Sequence, residues 1–276
     1  MAKKKQKLTV ACVQLNSKQS VLNNLLNTKK YINTACDRGA DFILTPEISN
    51  IVSLNKPHLL KNTFLEKSDP FLNEIKLLAQ ERSVWILLGS IIVKDRNSKL
   101  YNRSYLINSY GKVVCKYDKI HMFDVNISKS ESYQESKIFT KGKKIVTAKL
   151  PWGRIGMSIC YDLRFPTLYR KLCSKGVNMI SIPAAFTRPT GKFHWRTLIK
   201  ARAIENLSFV FAPAQCGINS ATRKTYGHSM IVSPWGEIIA EMRGNPGIIL
   251  AKIDISEVSK VRKRIPSYKG TTIEKK

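Results

Sequence analysis

The sequence predicts a mixed α/β fold in which two mixed β-sheets pack face to face with helices outside them. Three observations predict it. Strand-like and helix-like stretches alternate almost from end to end of the 276 residues, with no Pro/Ser/Gly-rich linker or low-complexity break between them. Hydrophobic residues make up 43% of the chain, ample for a core. Hairpins are interleaved with β-α crossovers, and that mixture cannot lie in one parallel sheet. The simpler organisation is a single domain over 1–276, with its core at about 8–266 and basic tails at 1–7 and 267–276.

Leu8 to Leu15 (LTVACVQL) reads as a buried strand and Ser20 to Arg38 as an amphipathic helix ended by Gly39. Asp41 to Thr45 is a second strand, stopped at Pro46, and Glu47 follows at once. Ser49 to Thr63 reads as a loop, Phe71 to Gln80 as a helix and Trp85 to Val93 as a strand. Tyr101 to Ile107 and Lys112 to Tyr117 pair across an Asn-Ser-Tyr-Gly turn that ends at Gly111. Asn126 to Tyr133 reads as a second loop. Lys144 to Leu150 and Arg154 to Cys160 flank the Pro151-Trp152-Gly153 turn, a helix follows Pro166, and Val177 to Ile182 is another buried strand. Phe193 to Asn206 is helical, and strands then fall at Ser208 to Pro213, Tyr226 to Val232, Ile238 to Met242 and Gly247 to Ile253.

Forty-seven Lys and Arg against nineteen Asp and Glu give a net charge of +28. Phosphate neutralisation rewards clustered basic residues. Apart from Lys3 to Lys7 and Arg262 to Arg264, however, these are scattered among Ile, Asn and Ser, and no nucleic-acid-binding motif is present. A solvated, Lys-biased surface accounts for the charge, so no specific nucleic-acid partner is expected. The longest apolar run, Val84 to Val93, is far short of the roughly 18 to 20 residues that span a bilayer. The start MAKKKQKLTV lacks the apolar stretch and cleavage site of a secretory signal. A cytoplasmic location without a membrane partner is expected. Six cysteines contain no CxxC pair, and four histidines show neither HxxxH nor HxH spacing, so no metal is expected.

Three polar residues end apolar strands, where α/β folds place reactive groups: Glu47, Lys119 and Cys160. Cys160 closes IGMSIC, and the chain turns sharply there before the helix after Pro166. A thiol at such an elbow faces a cleft together with the next backbone N–H, that of Tyr161. The same Cys is also readable as a small apolar residue packed at a strand end, Glu47 as an exposed loop acid and Lys119 as a surface charge.

Taken together, LTPE around Glu47, KYDKIHMFDV around Lys119, YQES around Glu135 and SICYDLRFPTLYR around Cys160 resemble the nitrilase superfamily of carbon-nitrogen hydrolases. The resemblance continues through PAAFTRPTGKFHWRTLIKARAIEN, AQCG and YGHSMIVSPWGEIIAE, from Leu8 to about Pro266, and is nearer to the deaminated glutathione amidase branch than to the ω-amidase branch. It implies a four-layer α-β-β-α sandwich, homodimers or higher assemblies, and a catalytic set of Glu47, Lys119 and Cys160. Cys160 would be the nucleophile that forms a thioester, and Glu47 the general base in both half-reactions. Lys119, with the Tyr161 N–H, would hold the oxyanion. Nucleophile, base and oxyanion donors are then all encoded in the chain, so no organic cofactor is expected. Glu135 matches the family's second glutamate and would orient Lys119. Arg164 would meet a substrate carboxylate or pair with Asp162, and Phe186 and Tyr161 would wall the pocket. Arg202 and Glu205 form a structural pair on their helix. Arg188 and Arg196 depart from the branch pattern and bear on substrate preference if they line the pocket.

The resulting expectation is an amidase acting on a small, carboxylated amide such as deaminated glutathione. An ω-amidase or N-carbamoyl amine amidohydrolase is the alternative within the superfamily. Outside it stand a cysteine protease using Cys160 with His121 and a basic nucleic-acid-binding protein.

Overall fold

The computed structural model describes residues 6–128, 131–221 and 223–267. The basic run Lys3 to Lys5 and the tail beyond 267 therefore lie outside the described residues. In chain order the elements begin with strand β1 (Lys7–Gln14), helix α1 (Val21–Asp37), β2 (Phe42–Leu44), α2 (Lys56–Asn62) and α3 (Pro70–Glu81). Then come β3 (Trp85–Lys94), β4 (Leu100–Ile107), β5 (Val113–Asp118), β6 (Asp124–Ser128), β7 (Glu131–Gln134), β8 (Thr147–Lys149) and β9 (Arg154–Met157). After them follow α4 (Pro166–Ser174), β10 (Met179–Ser181), the single turn α5 (Arg188–Thr190) and α6 (Arg196–Asn206). The chain closes with β11 (Phe209–Ala212), β12 (Cys216–Ser220), β13 (Arg223–Tyr226), β14 (Met230–Val232), β15 (Ile238–Glu241), β16 (Gly247–Asp254) and α7 (Ser256–Arg264).

Two six-stranded sheets dominate, ordered β16-β1-β2-β3-β4-β5 and β15-β14-β11-β10-β9-β8. Both follow one plan. Three parallel strands (β1-β2-β3 and β9-β10-β11) are joined by antiparallel neighbours on either side. The first sheet alternates its side chains. Val10, Cys12, Phe42 and Leu44 belong to one cluster with Met157, Ile180 and Phe211 of the second sheet. Ala11, Val13 and Ile43 pack with Ile32 of α1 and with Phe71, Ile75 and Leu78 of α3. Successive strand residues point to opposite faces, so one face of β1 and β2 meets the other sheet and the other face meets helices. Phe42 is stacked 6.5 Å from Trp152 and edge-on 6.2 Å from Phe211 across that central layer. Helices α4 and α6 cover the far side of the second sheet, where Leu172 of α4 lies against Gly156 and Ala203 of α6 joins the same core. The result is the expected α-β-β-α sandwich.

Local chemistry explains the boundaries. Ser20 caps α1 by accepting from the Asn23 N–H, and Asp69 caps α3 by accepting from the Leu72 N–H. Gly89 in β3 is tied to the segment that carries Glu47. Its N–H donates to Thr45 Oγ1 at 2.9 Å, and a Cβ there would lie 1.6 Å from the Thr45 carbonyl oxygen. Only glycine allows that approach.

Several segments differ from the expected pattern. The segment read as a loop at Ser49 to Thr63 contains α2, begun by an Asn55 cap and Pro57. The segment Asn126 to Tyr133 falls largely within the β6-β7 hairpin, though residues 129–130 are outside the description. The strand expected at Tyr226 to Val232 is two strands. β13 pairs with β12 and β14 enters the large sheet, because Gly227 and His228 both take positive φ between them. Helix α7 has only Val258 and Val261 buried, too weak an apolar stripe to stand out among its charges.

Candidate active site

The site lies beyond the carboxyl ends of the parallel strands. Glu47 follows β2, Lys119 follows β5, and Cys160 follows β9 after two further residues. Cys160 opens a 3-10 turn, Cys160–Arg164, with φ 46°, a left-handed conformation that costs a residue bearing Cβ. The turn is pinned from several sides. The Cys160 N–H donates to the Pro183 carbonyl at 2.9 Å. Asp162, fully buried, accepts from the Ile159 N–H at 2.9 Å and from the Tyr117 hydroxyl at 2.7 Å. Arg202 donates to the Leu163 carbonyl at 3.0 and 2.7 Å and also pairs with Glu205 at 2.7 Å.

Glu47, Lys119, Glu135, Cys160, Tyr161 and Phe186 all line one cavity of about 650 Å³ including its mouth. Lys119 Nζ donates to Glu47 Oε1 at 2.9 Å and to Glu135 at 2.9 and 2.7 Å. Glu47 Oε1 also accepts from Asn102 Nδ2 at 2.9 Å, and Oε2 accepts from the Ala185 N–H at 2.8 Å. Glu135 accepts in addition from the Phe123 N–H at 2.7 Å. Both carboxylates are thus fixed by several donors and cannot swing without losing them.

Burial pushes the Glu47 carboxyl up, but the Lys119 charge and hydrogen bond, with a smaller contribution from Arg223, outweigh it and hold Glu47 below the ordinary glutamate range. Burial likewise works against the Lys119 ammonium, and the charges of Glu135 and Glu47 overcome it, leaving Lys119 above its ordinary value. The Cys160 thiol is pushed far up, by burial first and the Glu47 charge second, with Lys119 opposing. The resting site is therefore a neutral thiol facing an ionised carboxylate. That pairing suits proton transfer during attack on a carbonyl, with no preformed thiolate.

The remaining sequence-derived residues are distributed differently. Arg164 is not part of the cavity lining. Its guanidinium lies 5.4 Å from the Phe186 ring centre and 6.0 Å from that of Tyr161, and Nη2 is 3.1 Å from His194 Nδ1. The pairing of Arg164 with Asp162 does not form either, because Asp162 is taken by His121 Nδ1 at 2.6 Å. His121 is stacked on Phe165 with ring centres 3.6 Å apart and is likewise outside the lining, which leaves a Cys-His arrangement without its base. Arg188 and Arg196 are exposed and do not line the cavity, and Arg196 pairs with Glu241. Three contributors were missed in the sequence. They are Asn102, which bridges the two glutamates, the Ala185 N–H, and Arg223, a buried cation in the wall. Arg223 stands three residues before Tyr226 of the YGHSM block, the one signal that pointed near it. Among the described residues no group of three or more His, Cys, Asp or Glu is arranged to hold a metal, and no helix is long and apolar enough to cross a membrane.

A double-sheet α-β-β-α sandwich with a polar cluster at its parallel strand ends is the fold of the nitrilase superfamily. It is matched by the Caenorhabditis elegans NitFhit protein (TM-score 0.91, 32% identity, 97% of this chain and 66% of that longer one). Saccharomyces cerevisiae Nit3, a branch 10 member of that superfamily, also matches, with TM-score 0.86, 28% identity and coverage of 97% and 96%. The chain belongs to the carbon-nitrogen hydrolase family, whose match runs over residues 9–263. A deaminated glutathione amidase of Yersinia enterocolitica is 36% identical over 93% of this chain and 90% of its own. A probable hydrolase, nit2, of Schizosaccharomyces pombe is 36% identical over 94% and 96%. The protein is an amide-hydrolysing enzyme of that family.

Proposed function

We propose that the protein cleaves the amide of a small, carboxylated substrate of the deaminated glutathione type through a thioester on Cys160. The observation that carries this is the convergence of Cys160, Glu47, Lys119 and Glu135 on one cavity, with Glu47 fixed between the thiol and the ammonium. Cys160 Sγ attacks the amide carbon as its proton passes to Glu47. The Lys119 ammonium and the Tyr161 N–H stabilise the tetrahedral oxyanion. Collapse breaks the C–N bond, and the nitrogen leaves with the proton from Glu47. Water then attacks the thioester, giving its proton to Glu47, and the acid departs as Cys160 regains its thiol. Glu135 holds Lys119, and every step uses groups of this chain and water, with no cofactor. Phe186 and Tyr161 would flank the bound substrate.

The amidase named for the relatives supports deaminated glutathione as the first substrate to try. Purified protein is therefore expected to release amine or ammonia faster from deaminated glutathione than from α-ketoglutaramate or N-carbamoyl amines. A preference for either of the latter would move the assignment to ω-amidase or carbamoyl-amine hydrolase.

A cytoplasmic homodimer is part of the same reading, with Ile204 of α6 and Trp235 of the β14-β15 turn, 48% and 46% exposed, offering apolar surface for a partner copy. Light scattering at micromolar concentration should give at least twice the monomer mass. A monomer alone would remove the dimer from the proposal.

A further inference from the structure

Two carboxylates stand beside Cys160, and nearly every acceptor position on them is taken. A carboxylate has about four lone-pair sites, two on each oxygen. Those of Glu135 are all occupied. Its Oε1 accepts from Lys119 Nζ at 2.9 Å and from Asn102 Nδ2 at 3.5 Å, and its Oε2 accepts from Lys119 Nζ and from the Phe123 N–H, each at 2.7 Å. Glu47 Oε1 is filled in the same way by Lys119 Nζ and Asn102 Nδ2, both at 2.9 Å. Glu47 Oε2, among the described residues, has only the Ala185 N–H at 2.8 Å, and that N–H is also directed at the Cys160 sulfur. The acceptor position left open is therefore on the oxygen beside the thiol. Asn102 of β4 is what both glutamates share. It is 1% exposed, does not line the cavity, and its backbone carbonyl accepts from the Lys119 N–H at 3.0 Å. Its Oδ1 is buried and has no hydrogen-bond partner among the described residues, which costs stability. Two acceptor-only carboxylates leave the amide no other orientation, so the cost is explained if Nδ2 serves the site.

We infer that Asn102 is a positioning residue that leaves this cluster a single proton-accepting site, Glu47 Oε2, and so fixes which carboxylate, and which of its oxygens, receives the Cys160 proton. The inference rests on the reading of Glu47 as the base. As the S–C bond forms, the S–H bond breaks, its proton passes to Oε2, and the carbonyl π pair moves onto the amide oxygen. Without Asn102, Glu47 Oε1 and Glu135 Oε1 each regain an acceptor position, and both of these face Lys119 rather than the thiol. A proton held there is of no use to the leaving nitrogen. Glu47 also loses one of the three donors that fix its plane. The charged and titratable groups around Glu47 are Lys119, Arg223, Cys160 and, across Lys119, Glu135. Asn102 adds a neutral donor to the ionised form, and its loss raises the proton affinity of the base.

Two variants test this on whichever of deaminated glutathione, α-ketoglutaramate and N-carbamoyl amines the parent cleaves fastest. Asn102→Leu removes the donor, and kcat should fall about 10- to 100-fold, the scale expected of a misplaced reacting group. KM should stay as it is, because Asn102 does not line the cavity, and the acid limb of kcat/KM should move upward. Asn102→Asp keeps the shape but sets a third acid against the two glutamates, so its limb should move further, and it decides the matter if the leucine variant does not fold. A limb unmoved in the variants, or a loss carried by KM, would overturn the inference and make Asn102 a packing residue. Alkylation of Cys160 by iodoacetamide, located by mass spectrometry, needs no turnover: the S–C bond forms, iodide leaves and the thiol proton passes to Glu47. Its pH profile should shift upward in Asn102→Leu together with the limb of kcat/KM. A profile identical in parent and Asn102→Leu, with slower alkylation in Glu47→Gln, overturns the role of Asn102 and leaves Glu47 as the base. Equal rates in parent and Glu47→Gln at every pH overturn the base itself, and the role of Asn102 with it.

Discussion

Cys160→Ala is expected to yield a protein that folds as the parent does and hydrolyses no amide. The change removes one sulfur atom from a residue only 7% exposed and keeps the Cβ, so the φ of 46° is no harder to hold than before. The hydrogen bonds that pin the turn come from backbone and from Asp162 and Arg202, and all survive, so the stability cost is confined to the packing of that sulfur. Chemistry is lost because no other group in the cavity is a nucleophile of comparable strength. Glu47→Gln should be nearly as damaging. The thiol is pushed far above its ordinary range, so it rests protonated and attack needs the base, whose removal typically costs on the order of 100- to 10,000-fold. Because thiol and base act as a unit, the double variant should be barely worse than either single one. Quenched turnover examined by intact-protein mass spectrometry should show an acyl adduct on Cys160 in the parent. An adduct on another cysteine, or full activity in Glu47→Gln, would overturn the roles given to both residues.

The fold was legible wherever hydrophobic periodicity was strong. β1, α1, β3 and β11 match their expected spans to within a residue or two, because each is buried along a face or throughout, and α1 is further bounded by its Ser20 cap and Gly39 and β11 by Pro213. What escaped was short or one-sided. Helix α2 has only Leu59 buried in seven residues, and the β6-β7 hairpin alternates exposed and half-buried positions around Tyr133. Such elements are held by the tertiary frame and their own turns leave little pattern. The break between β13 and β14 depends on two consecutive positive φ values at Gly227 and His228, residue types that tolerate such a conformation without obliging the chain to adopt it.

The site divides in the same way. Glu47, Lys119 and Cys160 stand near strand ends, a position that alone left packing and surface readings open; their match to the carbon-nitrogen hydrolase motifs singled them out, and the structure brings all three to one cavity with Glu135, Tyr161 and Phe186. Arg164 attracted a role because it follows Cys160 closely in sequence, yet the 3-10 turn carries it round to His194. Arg223 reaches the cavity, and Asn102 the two glutamates, from strands remote in sequence from Cys160. Which inward-pointing polar residue of a strand faces a cavity is set by how the sheets pack, and no local pattern encodes that.

Lys119→Met should cost roughly 100- to 1000-fold in kcat, the usual effect of losing one oxyanion donor, and no acyl adduct should accumulate on Cys160. It should also reverse the pH behaviour of the site. In the parent, Lys119 is the main group holding the Glu47 carboxyl below the ordinary glutamate range against burial. The acid limb of kcat/KM is therefore expected below about pH 4.3, the ordinary glutamate value. The depressed pKa also means that Glu47 contributes stability above its unfolded pKa and loses it as pH falls through the folded one. Without the ammonium, Glu47 and Glu135 are two buried carboxylates bridged by Asn102 alone, and burial together with repulsion from its neighbour raises the folded pKa of Glu47. The sign then inverts, since a group whose folded pKa is raised stabilises at low pH and loses that contribution as pH rises through it. The difference in Tm between parent and Lys119→Met should accordingly be larger at pH 8 than at pH 5, and the residual activity should have its acid limb moved upward. A Tm difference independent of pH, with the limb unmoved, would show that Lys119 is not what keeps Glu47 ionised.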